Sequence, residues 1–290
     1  MSCAAKLRQA NPARSPRPPT GRIPLAQLRC AAHPAPSLAS TPLLLLQWQR
    51  PPERNPGPMP RLIDPPLGPG DLVLSDFDGT ISRHDTGLAM MTRLQLAPAW
   101  ELEERWRAGE IGSAECLARQ WAMVVLREEE LLSLLDSMPL DETFPAFVDL
   151  CRERGAGLVV LSDGLDLYVD RMLGRLGLRT SSRPETLPPL DECLATYANH
   201  AEWTPAGVRV TFPGAERDCD DCGTCKTARL RALRPGYRRV LYLGDGYSDM
   251  CAARHADLRF AKHHLADYCR ERGLAYYPFE DFAEVIEAVG

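Results

Sequence analysis

Three short apolar runs each end in an acidic or hydroxyl residue beside glycine, and this recurrence constrains the fold more than any other feature of the chain. Leu72-Val73-Leu74-Ser75-Asp76-Phe77 breaks into Asp78-Gly79-Thr80. Gly157-Leu158-Val159-Val160-Leu161 ends at Ser162-Asp163-Gly164, and Arg239-Val240-Leu241-Tyr242-Leu243 ends at Gly244-Asp245-Gly246. Each run has the length and β-rich content of a buried strand, and each glycine-bearing break reads as a loop. Helical periodicity flanks them, at residues 144–154 and 165–176 around the second run and 227–233 and 249–255 around the third. Strands alternating with helices imply parallel pairing with right-handed crossovers. Wholly apolar strands agree, because such a sheet is covered on both faces. The expected fold class is therefore α/β, with a Rossmann-like parallel sheet at its core.

In an open sheet of this kind the carboxyl ends of the strands converge on one crevice, where ligands bind. Asp76, Asp78, Ser162, Asp163, Asp245 and Asp249 are expected to meet there. Any one of them could be a plain turn residue, but three such ends in one sheet argue for a site. The first and second strand ends lie 86 positions apart, from Asp76 to Ser162, far more than a crossover helix needs. Residues 88–95, 99–108, 113–125 and 128–135 carry helical patterns, so residues 86–140 read as a small helical cap inserted after the first strand. The catalytic core then comprises 71–85 and 141–290. The cap's charged patches, such as Glu101, Glu103, Glu104 and Arg105, read as a solvated helix face. Residues 190–215 suggest a β-hairpin turning at Pro205-Ala206-Gly207. Residues 258–261 and 275–277 read as further strands, and 282–289 as a closing helix.

The first 70 residues are of a different character. They hold 16 of the chain's 26 prolines, and nine Lys/Arg stand there against only Glu53 and Asp64. This leader is at +7; against the chain total of −5, residues 71–290 carry −12. Proline at that density removes backbone donors, and little apolar surface is available to offset chain entropy. A basic, Pro-rich, disordered leader is the simplest expectation; a targeting peptide, or upstream sequence outside the natural product with Met59 as the start, are the alternatives. The longest apolar run, residues 42–46, is far below the roughly 20 residues of a membrane helix. The acidic body argues against nucleic-acid and anionic-membrane partners, which are held by clustered Lys/Arg. Cys116, Cys151, Cys193, Cys251 and Cys269 lie singly in apolar or helical contexts, which reads as a reduced, cytoplasmic protein rather than a disulfide framework.

So many carboxylates in one crevice repel one another unless a cation sits among them. Mg²⁺ suits oxygen ligands and binds substrate phosphate alongside one or two carboxylates; zinc would want His or Cys, which these loops lack. Ser162 and neighbouring amides could hydrogen-bond phosphate oxygens, with a lysine adding positive charge.

These stretches resemble, in order, the four motifs of the haloacid dehalogenase superfamily: Asp76-Phe77-Asp78-Gly79-Thr80, Leu161-Ser162-Asp163-Gly164, Lys226, and Gly244-Asp245-Gly246-Tyr247-Ser248-Asp249. The resemblance spans essentially all of residues 71–290. It implies a phosphatase in which Asp76 is the nucleophile forming an aspartyl-phosphate. Asp78 would be the general acid and base. Mg²⁺ would be held by Asp76, the carbonyl of Asp78 and Asp245, with Asp249 at or just beyond the ion. Ser162, Asp163, Gly164 and Lys226 would hold the substrate phosphate. The partner implied is a small phosphorylated metabolite. Ion-pumping members of the superfamily lack an acid at position 78, which leaves a hydrolase or a phosphomutase. A silent binding protein on the same fold is disfavoured because no core position is missing.

The helical insert resembles that of the phosphoserine-phosphatase-like branch. Ala198-Asn199-His200, the run from Cys222 to Lys226, and Phe260-Ala261-Lys262 with Pro278-Phe279-Glu280-Asp281-Phe282 resemble the methionine-salvage branch, which acts on 2-hydroxy-3-keto-5-methylthiopentenyl-1-phosphate. Phosphoserine phosphatases usually carry Ser where this chain has Gly79. Cys219, Cys222 and Cys225 are spaced for a metal thiolate site, for which His200 or Asp218 could be a fourth ligand, but equally for a tight loop beside Lys226 or a redox-labile pair. His84, His255, His263 and His264 read as surface or packing residues.

Overall fold

The computed structural model describes residues 63–216 and 222–290. The expectations for residues 1–62, Met59 included, and for Asp218 and Cys219 lie outside the described residues. An eight-stranded sheet forms the centre, in the order β3-β4-β2-β1-β6-β7-β8, with β5 attached to β4. Its strands are β1 (Asp71–Ser75), β2 (Gly157–Leu165), β3 (Thr180–Ser182), β4 (Leu194–Thr204), β5 (Gly207–Thr211), β6 (Arg239–Gly244), β7 (Leu258–Ala261) and β8 (Tyr277–Pro278). All pairs are parallel except β4 with β5. The three apolar runs that end beside glycine are the adjacent central strands β2, β1 and β6.

These strands lie buried because both faces are covered. Side chains alternate along β1, so Val73 and, just beyond it, Phe77 enter one core while Leu72 and Leu74 enter the other. The first core is closed by α5 (Phe144–Glu153), α6 (Asp166–Arg175) and α10 (Phe282–Val289). The second is closed by α7 (Lys226–Leu233), α8 (Met250–Ala253) and α9 (His263–Arg272). Asp71, fully buried at the start of β1, is held by Arg239 at 2.6 Å and Arg238 at 3.1 Å.

Four helices occupy the long connection: α1 (Thr86–Arg93), α2 (Ala97–Arg107), α3 (Ser113–Trp121) and α4 (Glu128–Asp136). The chain enters and leaves them through one stem, where Ser82 bridges Leu140 and the Asp141 amide donates to the Ile81 carbonyl at 2.8 Å. Asp85 caps α1 by accepting from the Leu88 amide at 2.8 Å.

Several expectations need correction. The folded body reaches back before residue 71: Ile63 and Leu67 are buried to 3% and 2% exposure, and the Leu67 amide donates to the Val289 carbonyl at 3.0 Å. The second strand continues past Leu161 to Leu165 with a register shift, so Ser162, Asp163 and Gly164 lie in the distorted strand end rather than after it. Residues 194–197 belong to the parallel sheet; only the far half of β4 forms the hairpin, closed by Thr204 opposite Gly207 with Pro205-Ala206 between them. Its Gly207 has φ 127, and a Cβ there would stand 2.5 Å from the Ala122 carbonyl, so the turn seats against the end of α3. The Trp203 indole adds a bond to the Leu126 carbonyl at 3.0 Å. Strand β3 and helix α9 escaped the pattern reading. β3 is a polar Thr-Ser-Ser segment, and α9 buries only Leu265, Ala266, Tyr268 and Cys269 in an otherwise charged stretch.

Candidate active site

Asp76 follows β1 directly, and its amide donates to the Leu243 carbonyl of β6 at 2.9 Å, so the two strand ends stay in register up to the carboxylate. Among the described residues both side-chain contacts of Asp76 fall on one oxygen: the Phe77 amide at 2.6 Å and Lys226 Nζ at 2.7 Å meet Oδ1. Among the described residues Oδ2 receives none. Lys226 is the first residue of α7 and only 2% exposed, and its ammonium also reaches Asp249 Oδ1 at 2.7 Å and Ser248 Oγ at 3.0 Å. Burial disfavours this ammonium, but Asp249 and Asp76 outweigh that cost and hold its pKa above the ordinary lysine value. Asp76 is pushed well up, first by burial and then by Asp249 and Asp245, with Lys226 opposing. Asp249 is driven down despite its burial, because Lys226, Tyr242 and the Gly246 amide all favour its charged form.

Asp249 is fully engaged. Its Oδ1 accepts from Lys226 and from the Tyr242 hydroxyl at 2.6 Å, and its Oδ2 from the Asp245 and Gly246 amides at 3.1 and 2.9 Å. Four donors fill the lone pairs of a carboxylate. Asp245, in contrast, has as hydrogen-bond partners of its oxygens, among the described residues, only Thr80 at 3.3 Å and His263 Nδ1 at 3.5 Å. Carboxylate oxygens of Asp76, Asp245 and Asp249 lie within 4.8 Å of one another. An all-oxygen set of this size fits a hard divalent cation such as Mg²⁺. Asp76 and Asp245 have the free lone pairs to hold it; Asp249 fits better as the group that orients Lys226 and the Asp245 loop.

Glycine is required where Asp245 approaches β1. Gly79 has φ 71, and a Cβ there would stand 2.2 Å from Asp245 Oδ2. A side chain at 79 would be strained at this φ and would push the Asp245 carboxylate aside.

Asp78 points to the other side of the crevice. Its Oδ2 accepts from Tyr168 OH at 2.6 Å and from Ser162 Oγ at 3.4 Å, and its Oδ1 from the Thr86 amide at 3.0 Å. Burial raises its pKa; the bonds from Tyr168 and Thr86 hold the rise back. Gly164 makes the Tyr168 contact possible, since a Cβ there would fall 1.8 Å from the tyrosine oxygen. Ser162 Oγ also accepts from the Gly164 amide at 2.8 Å.

The structure thus brings Asp76, Asp78, Ser162, Lys226, Asp245 and Asp249 together. Asp163 is turned elsewhere: its carboxylate accepts from Ser113 of α3, from the Thr224 amide at 2.8 Å and from Asn199 at 3.2 Å. It ties strand end, helical insert and the approach to Lys226 together instead of facing the other acids. Tyr168 and Tyr242 were not singled out by spacing, because tyrosine inside an apolar run reads as core; Thr80 and Asn199 stood in the motif stretches without a role of their own. His263, read as a surface or packing residue, is exposed, and its Nδ1 also stands 3.5 Å from Asp245, whose carboxylate raises its pKa. His200 pairs with Asp166 at 2.8 Å.

The family model for haloacid dehalogenase-like hydrolases matches residues 73–254. The 2-hydroxy-3-keto-5-methylthiopentenyl-1-phosphate phosphatase of Bacillus velezensis is 30% identical, covering 76% of this chain and 91% of its own length. The enzyme of the same name from Geobacillus kaustophilus is 32% identical over 75% of this chain and 94% of its own. Among solved structures, a phospho-aspartyl intermediate analogue of phosphoserine phosphatase superposes with TM-score 0.56 at 16% identity, covering 77% of this chain and all of that one. Phosphoserine phosphatase from T. onnurineus gives 0.53 at 19% identity, covering 78% of this chain and 97% of that one. The match to more than half the chain, together with the shared fold, means that the protein belongs to the haloacid dehalogenase-like hydrolases.

Proposed function

We propose that this hydrolase is a Mg²⁺-dependent phosphomonoesterase of the cytoplasm that acts on a small phosphorylated metabolite, 2-hydroxy-3-keto-5-methylthiopentenyl-1-phosphate, through an aspartyl-phosphate on Asp76. The observation that carries this is the pairing of a strand-end carboxylate having one free oxygen with a buried lysine 2.7 Å from the other. Oδ2 of Asp76 attacks phosphorus while the bond to the leaving alkoxide breaks, and Asp78 gives that alkoxide its proton. In the second half, water attacks the same phosphorus, its proton passes to Asp78, and the phosphorus–Oδ2 bond breaks. Ser162, the Gly164 amide and Lys226 steady the phosphoryl oxygens. Asp76, the Asp78 carbonyl and Asp245 would hold the cation, which when bound would neutralise phosphoryl charge. Residues 86–140 act as the cap, hinged on the stem at Ser82 and Leu140 and braced by the β4–β5 turn. Phosphate release from this metabolite and from phosphoserine, measured side by side, tests the reading; isomerised product without free phosphate would instead mark a phosphomutase.

Excess EDTA is expected to stop hydrolysis and added Mg²⁺ to restore it; turnover that persists in the chelator refutes the metal requirement. Asp78→Asn should slow alkyl phosphates by about 10²–10⁴-fold, the usual worth of a positioned acid. It should slow p-nitrophenyl phosphate much less, since nitrophenolate leaves without a proton; equal losses on both would remove Asp78 from the acid role. In the wild type, kcat for alkyl phosphates should fall as pH rises through the elevated pKa of Asp78, because the acid form is the one that donates.

A truncated chain starting at Met59 should keep its activity and stability. One starting at Asp71 loses buried Ile63 and Leu67, at roughly 1.5–3 kcal/mol each, and should melt markedly lower. Equal melting temperatures for the two would show that this segment adds nothing.

A further inference from the structure

Rotation of an aspartate carboxyl about its own bond is broad, so nothing within Asp78 fixes the plane of the group or the oxygen that carries its proton. The donors around it do. Oδ2 accepts from Tyr168 OH at 2.6 Å and from Ser162 Oγ at 3.4 Å, and Oδ1 from the Thr86 amide at 3.0 Å. A carboxylate offers about four lone-pair sites, two on each oxygen. Among the described residues both sites on Oδ2 are taken and one on Oδ1 is open, which leaves Oδ1 as the seat of the proton.

The Tyr168 contact is built into the fold. A Cβ on Gly164 would fall 1.8 Å from the tyrosine oxygen and 2.4 Å from Asp78 Oδ2, so the bonded pair fills the space a side chain would need. The tyrosine is 2% exposed, with its ring 6.0 Å from that of Phe77 and stacked on that of Trp121 at 5.7 Å. Trp121 is the last residue of α3, and Thr86 is the first of α1. The two nearest donors to Asp78 therefore depend on the helical insert: one is its backbone, and the other stands on a ring that it packs. At its opposite end α3 holds the strand end that carries Ser162, through the bond from Ser113 to Asp163.

We infer that the insert aims the general acid, with Tyr168 and the Thr86 amide as positioning groups that keep the proton of Asp78 on Oδ1. This rests on the phosphatase reading above and adds how the acid is held. Both groups act through Asp78, so their loss should be felt where the leaving group needs a proton and spared where it does not.

The test measures kcat/KM with the full chain and Mg²⁺ on two esters. One is p-nitrophenyl phosphate, whose leaving group departs without a proton. The other is whichever of glycerol 3-phosphate and phosphoserine the wild type hydrolyses faster. Tyr168→Phe keeps the ring and loses the hydroxyl; the ratio of alkyl to aryl ester should fall about tenfold or more, the worth of a hydrogen bond to a charged group. Thr86→Pro removes the amide hydrogen. Proline suits the first position of a helix, and Asp85 before it has φ −61 and ψ 116, the extended form that a residue preceding proline takes. The ratio in Thr86→Pro should fall about tenfold below that in Thr86→Val, which keeps the amide. Trp121→Leu should shift the ratio in the same direction, and adding it to Tyr168→Phe should shift it no further, because both act through one hydroxyl. If Trp121→Leu folds poorly, Thr86→Pro still reads the tie between insert and acid. A merely structural role lowers both esters together. A ratio unmoved in Tyr168→Phe, equal ratios in Thr86→Pro and Thr86→Val, or independent losses in the double variant overturn the inference and leave the phosphatase reading in place. A wild type that releases phosphate from none of these esters overturns both.

Discussion

Replacing Asp76 with Asn should abolish turnover, by about 10⁴-fold or more, while leaving the protein folded and no less stable. An amide oxygen can still accept from the Phe77 amide and from Lys226, the contacts made at 2.6 and 2.7 Å, so packing is kept. What is lost is the carboxylate oxygen that attacks phosphorus, and removing a covalent nucleophile has this scale of effect. The stability half follows from sign. The pKa of Asp76 is raised in the fold by burial and by Asp249 and Asp245. Its charged form therefore opposes folding at pH values above its unfolded pKa, and the neutral amide relieves that opposition. Asp76→Asn should melt at or above the wild-type temperature at pH 7, with the gain disappearing as pH falls below about 4 and the wild-type acid is itself neutral. Full activity in this variant, once deamidation back to Asp has been excluded by mass, would sink the covalent route.

Lys226→Met should cost both activity and stability. The ammonium is 2% exposed and is the positive charge set between Asp76 and Asp249, each at 2.7 Å. Without it two buried carboxylates face each other uncompensated, and breaking a buried pair from one side costs about 3–5 kcal/mol. For a body of this size each kcal/mol is worth roughly 2–4 °C, so melting should drop by about 10 °C. The deficit should shrink at low pH: losing the lysine raises the folded pKa of both acids, and below those values they are protonated and no longer repel. Turnover should fall by at least about 10²–10³-fold, the worth of one preorganised charge on the transferring group. Adding Asp76→Asn to this variant should recover part of the stability and none of the activity. A Lys226→Met protein as stable as wild type across pH would mean that the buried carboxylates do not depend on the lysine.

The central strands and the site acids were legible for local reasons. Apolar runs such as Leu72-Val73-Leu74 must be covered on both faces, and acids beside glycine at their ends must then converge. Gly79 was legible as a loop residue, but its reason is tertiary, the Asp245 carboxylate that would lie 2.2 Å from any Cβ. Tyr168 and Tyr242 were hidden for the opposite reason. Within apolar or amphipathic runs they satisfy the core pattern, and only their hydroxyls, reaching Asp78 and Asp249 at 2.6 Å each, give them a second task. Helix α9 was missed because its buried stripe is narrow, and with it went His263, whose pairing with Asp245 spans 18 positions.

What sequence alone determined is which residues carry chemistry and the sheet on which they stand, because strand periodicity and the order of the motifs are local properties. Tertiary structure decided how those residues divide their work. Asp163 and Asp249 read in sequence like their neighbours, yet one faces Ser113, Thr224 and Asn199 and the other is filled by four donors. The lone pairs left free belong to Asp76 and Asp245. A carboxylate is the same group wherever it is written; burial and the donors around it set its charge and what it can still bind, and those come from other segments of the chain, Ser113 reaching Asp163 across 50 positions and Lys226 reaching Asp249 across 23.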